Sequence, residues 1–101
     1  MGKKKNKGNE ATDASPGQIQ FKLRAPMLPN EIAKKLGIEF SGLMLIASVR
    51  GGSRRLIGLI NKDCQSFKLC QPGDDQPEDI NRLLKMAIIP KAKEFAAKVK
   101  D

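Results

Sequence analysis

Three arginines stand around a pair of glycines in the run Arg50-Gly51-Gly52-Ser53-Arg54-Arg55. A guanidinium group holds phosphate oxygens bidentately, which an ammonium group does not, and glycine lets backbone N–H groups come close to a ligand. The chemistry within reach of this run is therefore anion binding, at the tip of a hairpin whose turn the paired glycines favour. Read without a ligand, the same residues are a hairpin turn with solvated arginines, and both readings stand at this point. Lys22 and Arg24 would widen the basic surface. Near the N-terminus, Lys3, Lys4, Lys5 and Lys7 would extend it further.

Other chemistry is poorly provided for. The chain has no His, Tyr or Trp, so the commonest general base is missing. Cys64 and Cys70 have no histidine to activate them as nucleophiles. Two cysteines without further nitrogen or sulfur ligands also do not make a zinc site. A disulfide between them would close a very small loop, and two buried thiols in a reducing compartment are expected instead. Four of the eleven acids cluster between Asp74 and Asp79, where the start of a helix accounts for them. Gly51-Gly52-Ser53 lacks the spaced glycine and the Lys-Ser/Thr pair of a nucleotide-binding loop. We expect no enzyme activity, no metal and no cofactor.

The 101 residues carry a formal charge of +8, unevenly spread. Residues 1–17 hold four lysines against two acids, residues 18–62 eight bases against two acids, and residues 63–101 seven of each. The excess lies in the first two segments, where it would steer and hold a polyanion. The N-terminus has no apolar core of the secretory type, and no run approaches the roughly 18–20 apolar residues that cross a bilayer. A soluble protein of the cytoplasm or nucleus is expected, neither secreted nor inserted in a membrane.

The elements that must position these groups follow from periodicity. Residues 1–17 contain no large apolar side chain after Met1 and read as a disordered basic arm. The remainder, 18–101, reads as a single domain. Ile19, Phe21 and Leu23 alternate with Gln20, Lys22 and Arg24, which predicts a half-buried strand with a basic outer side. Pro26 and Pro29 end it. A short helix follows, with Asn30 as N-cap, Ile32, Ala33 and Leu36 as its apolar stripe and Gly37 as its stop. Residues 43–49 suit a central strand covered on both sides, although Leu, Met and Ala also tolerate a helix. Strands at 56–60 and 66–70 come next. A long helix then begins with Asp75 or Gln76 as cap and Pro77 near its first position. Its stripe is Ile80, Leu83, Leu84, Ala87 and Ile88, continued by Ala92, Phe95, Ala96 and Val99. Pro90 should kink it or break it in two. The expected fold is α+β, a mostly antiparallel sheet of about four strands packed by a short helix and a long C-terminal helix.

The run NEIAKKLGI at residues 30–38 resembles the first helix and turn of helix-turn-helix DNA-binding proteins, with Ala33, Gly37 and Ile38 at its small, turn and apolar positions. The resemblance implies an alternative fold, a winged helix-turn-helix. Residues 40–50 would then be a recognition helix and residues 54–60 and 65–70 the wing. Gly42 would cost that helix about 1 kcal/mol.

The leading expectation is a non-catalytic nucleic-acid-binding protein. RNA is favoured slightly over DNA, because no major-groove helix suggests itself. Phe21, Phe67 and Phe95 fall at core positions, which leaves Phe40 as the one ring free to stack a base. The alternative is a protein-interaction module that uses the apolar surplus at Met44, Met86 and Ile89, including a homodimer through Met86 and Ile89. The same basic groups would also suit an acidic protein or a membrane surface. Reversing the charge of Arg54 and Arg55 together should weaken nucleic-acid binding sharply and flatten its salt dependence. Unchanged binding across a salt series would remove the hairpin from the site.

Overall fold

The alternation of Ile19, Phe21 and Leu23 does produce a strand, and its apolar side becomes part of the core. The computed structural model describes residues 17–98, so the arm expected over residues 1–17 lies, apart from Gly17, outside the described residues. Strand β1 (Gln18–Lys22) leads through α1 (Pro29–Leu36) to β2 (Glu39–Ser41), β3 (Met44–Ser48), β4 (Arg54–Ile60) and β5 (Ser66–Cys70). The C-terminal helix comprises α2 (Glu78–Leu83), a π turn (Leu84–Ile88) and α3 (Ile89–Phe95), and β6 (Ala97–Lys98) follows it. One sheet has the order β2-β3-β4-β5-β1-β6, with every neighbouring pair antiparallel. The fold is α+β as expected. Its sheet gains two short strands, β2 and β6, which are too brief to leave a readable alternation.

Both helices lie on one side of this sheet. Ile32, Ala33 and Leu36 of α1 share a core with Ile80, Leu84, Ile88 and Ala92 of the C-terminal helix and with Phe21, Leu45, Ala47, Ile57, Phe67 and Leu69 of the strands. Apart from the irregularity at Ile57 and Gly58, inward strand residues alternate with outward ones, and among the described residues no element lies over the outward side. Met44 is 42% exposed and Leu59 44%. The expectation that residues 43–49 are covered on both faces is therefore corrected. That stretch is a strand buried through Leu45 and Ala47 and open through Met44 and Ser48.

The winged-helix alternative fails on the same residues. Where it requires a recognition helix, the chain forms β2 and β3, joined by a turn in which Gly42 has φ +65°. Helix α1 and its stop are correct, since Gly37 adopts φ +75° and closes the helix. The caps are shifted. Pro29 occupies the first turn and Leu28 the N-cap, two residues before Asn30, because proline's fixed φ already suits helix entry. Pro77, not Asp75 or Gln76, holds the N-cap of α2 with ψ 147°. Asn81 secures that end instead, its side-chain amide donating to the Gly73 carbonyl at 2.8 Å and its Oδ1 accepting from the Gly73 N–H at 3.0 Å.

Pro90 does not break the helix. The backbone stays right-handed helical at Leu83, Leu84, Ile88 and Ile89, and the Ile89 N–H bonds to the carbonyl of Leu84, five residues back. Proline lacks the N–H a regular helix needs, and its ring presses on the carbonyl one turn earlier. Widening the preceding turn relieves both problems. It also lets Ile80, Leu84, Ile88 and Ala92, spaced by four, all be fully buried.

A second irregularity sits in β4, where register shifts so that Leu45 faces Gly58 and Ile46 faces Leu56. Ile57 is the extra residue, fully buried, and the bulge turns it into the core. Gly58 is required beside it. A Cβ there would lie 2.2 Å from the Lys68 carbonyl oxygen and 2.9 Å from Leu69 Cδ2. Gly58→Ala should lose about 1–3 kcal/mol of stability through this overlap. Urea denaturation should show it as a lower midpoint at unchanged slope.

Candidate nucleic-acid interface

Register decides which basic side chains meet. Residues paired directly across antiparallel strands share a face. The pairs Met44 with Leu59, Leu59 with Lys68, and Lys68 with Gln20 therefore form one outward row across four strands. Lys22 lies two residues beyond Gln20 on the same side, and Ser48 pairs outward with Arg54. Lys22, Lys68 and Arg54 thus occupy a diagonal of the uncovered face, roughly 20 Å long at ordinary strand spacings. On one side of it lie Met44, Ile46, Leu56 and Leu59, and Leu56 is 49% exposed. Lys68 and Gln20 were missed from the sequence. The alternation in Ser66-Phe67-Lys68-Leu69-Cys70 already turned Lys68 outward, but only the strand order sets it beside Gln20 and near Lys22.

The expected arginine cluster is divided. Arg54 reaches across β3 to Glu39, 3.0 Å from Oε1, and both side chains are more than half exposed. Such a pair is worth about 0.2–1 kcal/mol, so the guanidinium is loosely held. Arg55 pairs with buried Ala47 and so points to the helical side, where it donates to the Asp75 carbonyl at 3.3 Å. Arg50 is exposed at the hairpin tip, and Arg24 is exposed just after β1. At the tip, Gly51 takes φ +67° and the Gly52 N–H bonds to the Val49 carbonyl at 3.0 Å. That donor is engaged in the turn. A Cβ on Gly52 would also stand 2.8 Å from Asp79 Oδ2, so a carboxylate lies against this side of the loop. Lys3, Lys4 and Lys5 lie outside the described residues.

Elsewhere charges are mixed. A cleft of about 560 Å³ beside α2 is lined by Asp74, Glu78, Arg82 and Lys85 together. Lys35 and Lys91 share a shallower groove with Glu94, and Lys35 Nζ sits 5.8 Å from the Phe95 ring centroid. Met86 is 76% exposed, whereas Ile89 packs against the core, so the two do not form one patch. Phe40 is partly exposed but pairs with Leu45, on the helical side of the sheet. Among the described residues no group of three or more His, Cys, Asp or Glu is placed to hold a metal, and no helix is long and apolar enough to cross a membrane.

Cys64 and Cys70 are free thiols, half-buried and not fully buried as expected, because both lie at strand ends or in a turn. Burial pushes the Cys70 thiol above its ordinary pKa, the Asp75 carboxylate adds to this, and Arg55 opposes it. Removing Arg55 should therefore slow alkylation of Cys70 near pH 8, and Asp75→Asn should speed it, since the thiolate is the reacting form. Following the pH dependence of alkylation in a Cys64→Ser background would check both signs.

Compared with protein-family models, curated proteins and solved structures, the chain matches none.

Proposed function

We propose that this chain is a non-catalytic nucleic-acid-binding protein of the cytoplasm or nucleus, with RNA preferred over DNA, and that the uncovered sheet face receives the ligand. The supporting observation is the charge of that face. Lys22, Lys68 and Arg54 lie on it, Glu39 is its one carboxylate among the described residues, and Glu39 already bonds Arg54. A polyanion meets attraction across such a surface and little repulsion. Among the described residues, the acids of the C-terminal half are carried by the β4–β5 turn and the helical side. The preference for RNA rests on shape, because residues 40–50 offer strands and no helix to a major groove. Arg50, at the hairpin tip, and the lysine arm add phosphate contacts beyond the face.

The division of the arginines sharpens the mutational expectation. Lys68→Glu should weaken binding about tenfold, and each lost phosphate contact should lower the salt slope by about 0.7 on a single strand. Glu39→Gln should act in the opposite direction and tighten binding, because it releases the Arg54 guanidinium for phosphate. Arg55→Ala should change affinity little. Binding isotherms over a salt series would decide. Unchanged affinity for both Lys68→Glu and Glu39→Gln would exclude the sheet face.

A further inference from the structure

The uncovered face is not only basic. Met44, Ile46, Leu56 and Leu59 make a continuous aliphatic surface along β3 and β4, beside the charged diagonal, and in the row Met44–Leu59–Lys68–Gln20 the apolar and polar halves are adjacent. Three of these side chains are more than two-fifths exposed. Resting on the nucleic-acid reading above, we infer that the ligand is single-stranded, with unstacked bases lying on the aliphatic half while its phosphates follow Lys22, Lys68 and Arg54.

Three physical points carry this. A duplex offers a flat surface only its phosphates and sugars, so docking one here would press charged groups onto Met44, Leu56 and Leu59 and strand their apolar area. An unstacked base instead presents a flat, weakly polar face that gains by leaving water. The charge spacing suits a flexible strand as well, because Lys22 and Lys68 stand only about 8 Å apart at their backbones. A second copy of this chain is disfavoured as the occupant, because two chains of charge +8 would oppose their basic diagonals. With no exposed aromatic ring among the outward side chains, each base contact is weaker than ring stacking, and sequence preference should be slight.

The test uses the full chain and three labelled RNAs of about twelve nucleotides: an unstructured strand, the same strand paired with its complement, and a strand carrying abasic sites throughout. Anisotropy titrations should show the plain strand bound at least about tenfold tighter than either other probe. Leu56→Ser with Leu59→Ser should cut plain-strand affinity about three- to tenfold, while duplex affinity and the salt slope stay as they were. Circular dichroism confirms that the variant is folded, which its outward positions favour. Equal or tighter duplex binding, or indifference to base removal, would overturn the single-strand inference and leave the proposed function standing. Failure of all three RNAs at low salt would overturn the proposed function itself. A double variant that loses self-association in sedimentation while keeping its affinity for the strand would assign the patch to a second copy and overturn the inference.

Discussion

Phe21, Phe67 and Phe95 stack in series, with ring centroids 5.2 and 5.7 Å apart and planes within 16° of parallel. The stack joins β1, β5 and α3, and Lys35 of α1 sits over its outer ring. Each such pair contributes roughly 0.5–1.5 kcal/mol beyond its buried area. Much follows from this one arrangement. It draws both helices to the same side of the sheet, and among the described residues no element covers the other side. It also commits three of four phenylalanines to the core, leaving the open face aliphatic and basic without rings. The two backbone irregularities serve the same packing. The π turn before Pro90 keeps Ile80, Leu84, Ile88 and Ala92 in line, and the bulge in β4 turns Ile57 into the core.

A one-sided sheet leaves a surface whose character is set by outward residues alone. In this chain those residues separate into an aliphatic part on β3 and β4 and a cationic diagonal through β4, β5 and β1. Neither part alone defines a ligand. Lysines on an exposed strand are usually solvated, and scattered exposed apolar side chains are ordinary. Their adjacency, with Glu39 already engaged by Arg54, is what points to a ligand that is anionic along its backbone and apolar along its side groups. Replacing Glu39 as Arg54's partner costs little, because the exposed pair is weak.

Much of the fold was legible where periodicity spoke clearly. The alternation through Ile19, Phe21 and Leu23, the glycine stop at Gly37 and the Arg50–Arg54 hairpin all have local causes, and the structure has all three. The short strands β2 and β6 were not legible, since two or three residues carry no period. The open face at Met44 was hidden for another reason: an apolar residue on an uncovered strand looks the same in sequence as one in a sandwich. The site was less legible than the fold. Arg54 and Arg55 are neighbours in sequence and lie on opposite faces, whereas Lys22 and Lys68 are remote in sequence and nearly adjacent across the β1–β5 pair. That information resides in strand order and register, which no local pattern encodes. The bulge at Ile57, which alters the facing of everything after it in β4, is equally silent apart from Gly58.

The most direct test of the account is to map backbone amide shifts by NMR while titrating the chain with an unstructured single-stranded RNA. Perturbations should run along β1, β3, β4 and β5, centred on Gln20, Leu56, Leu59 and Lys68, with α1 and the C-terminal helix nearly unmoved. Shifts concentrated instead around Lys34, Lys35 and Lys91, with the sheet face silent, would contradict it and move the binding surface to the helical side.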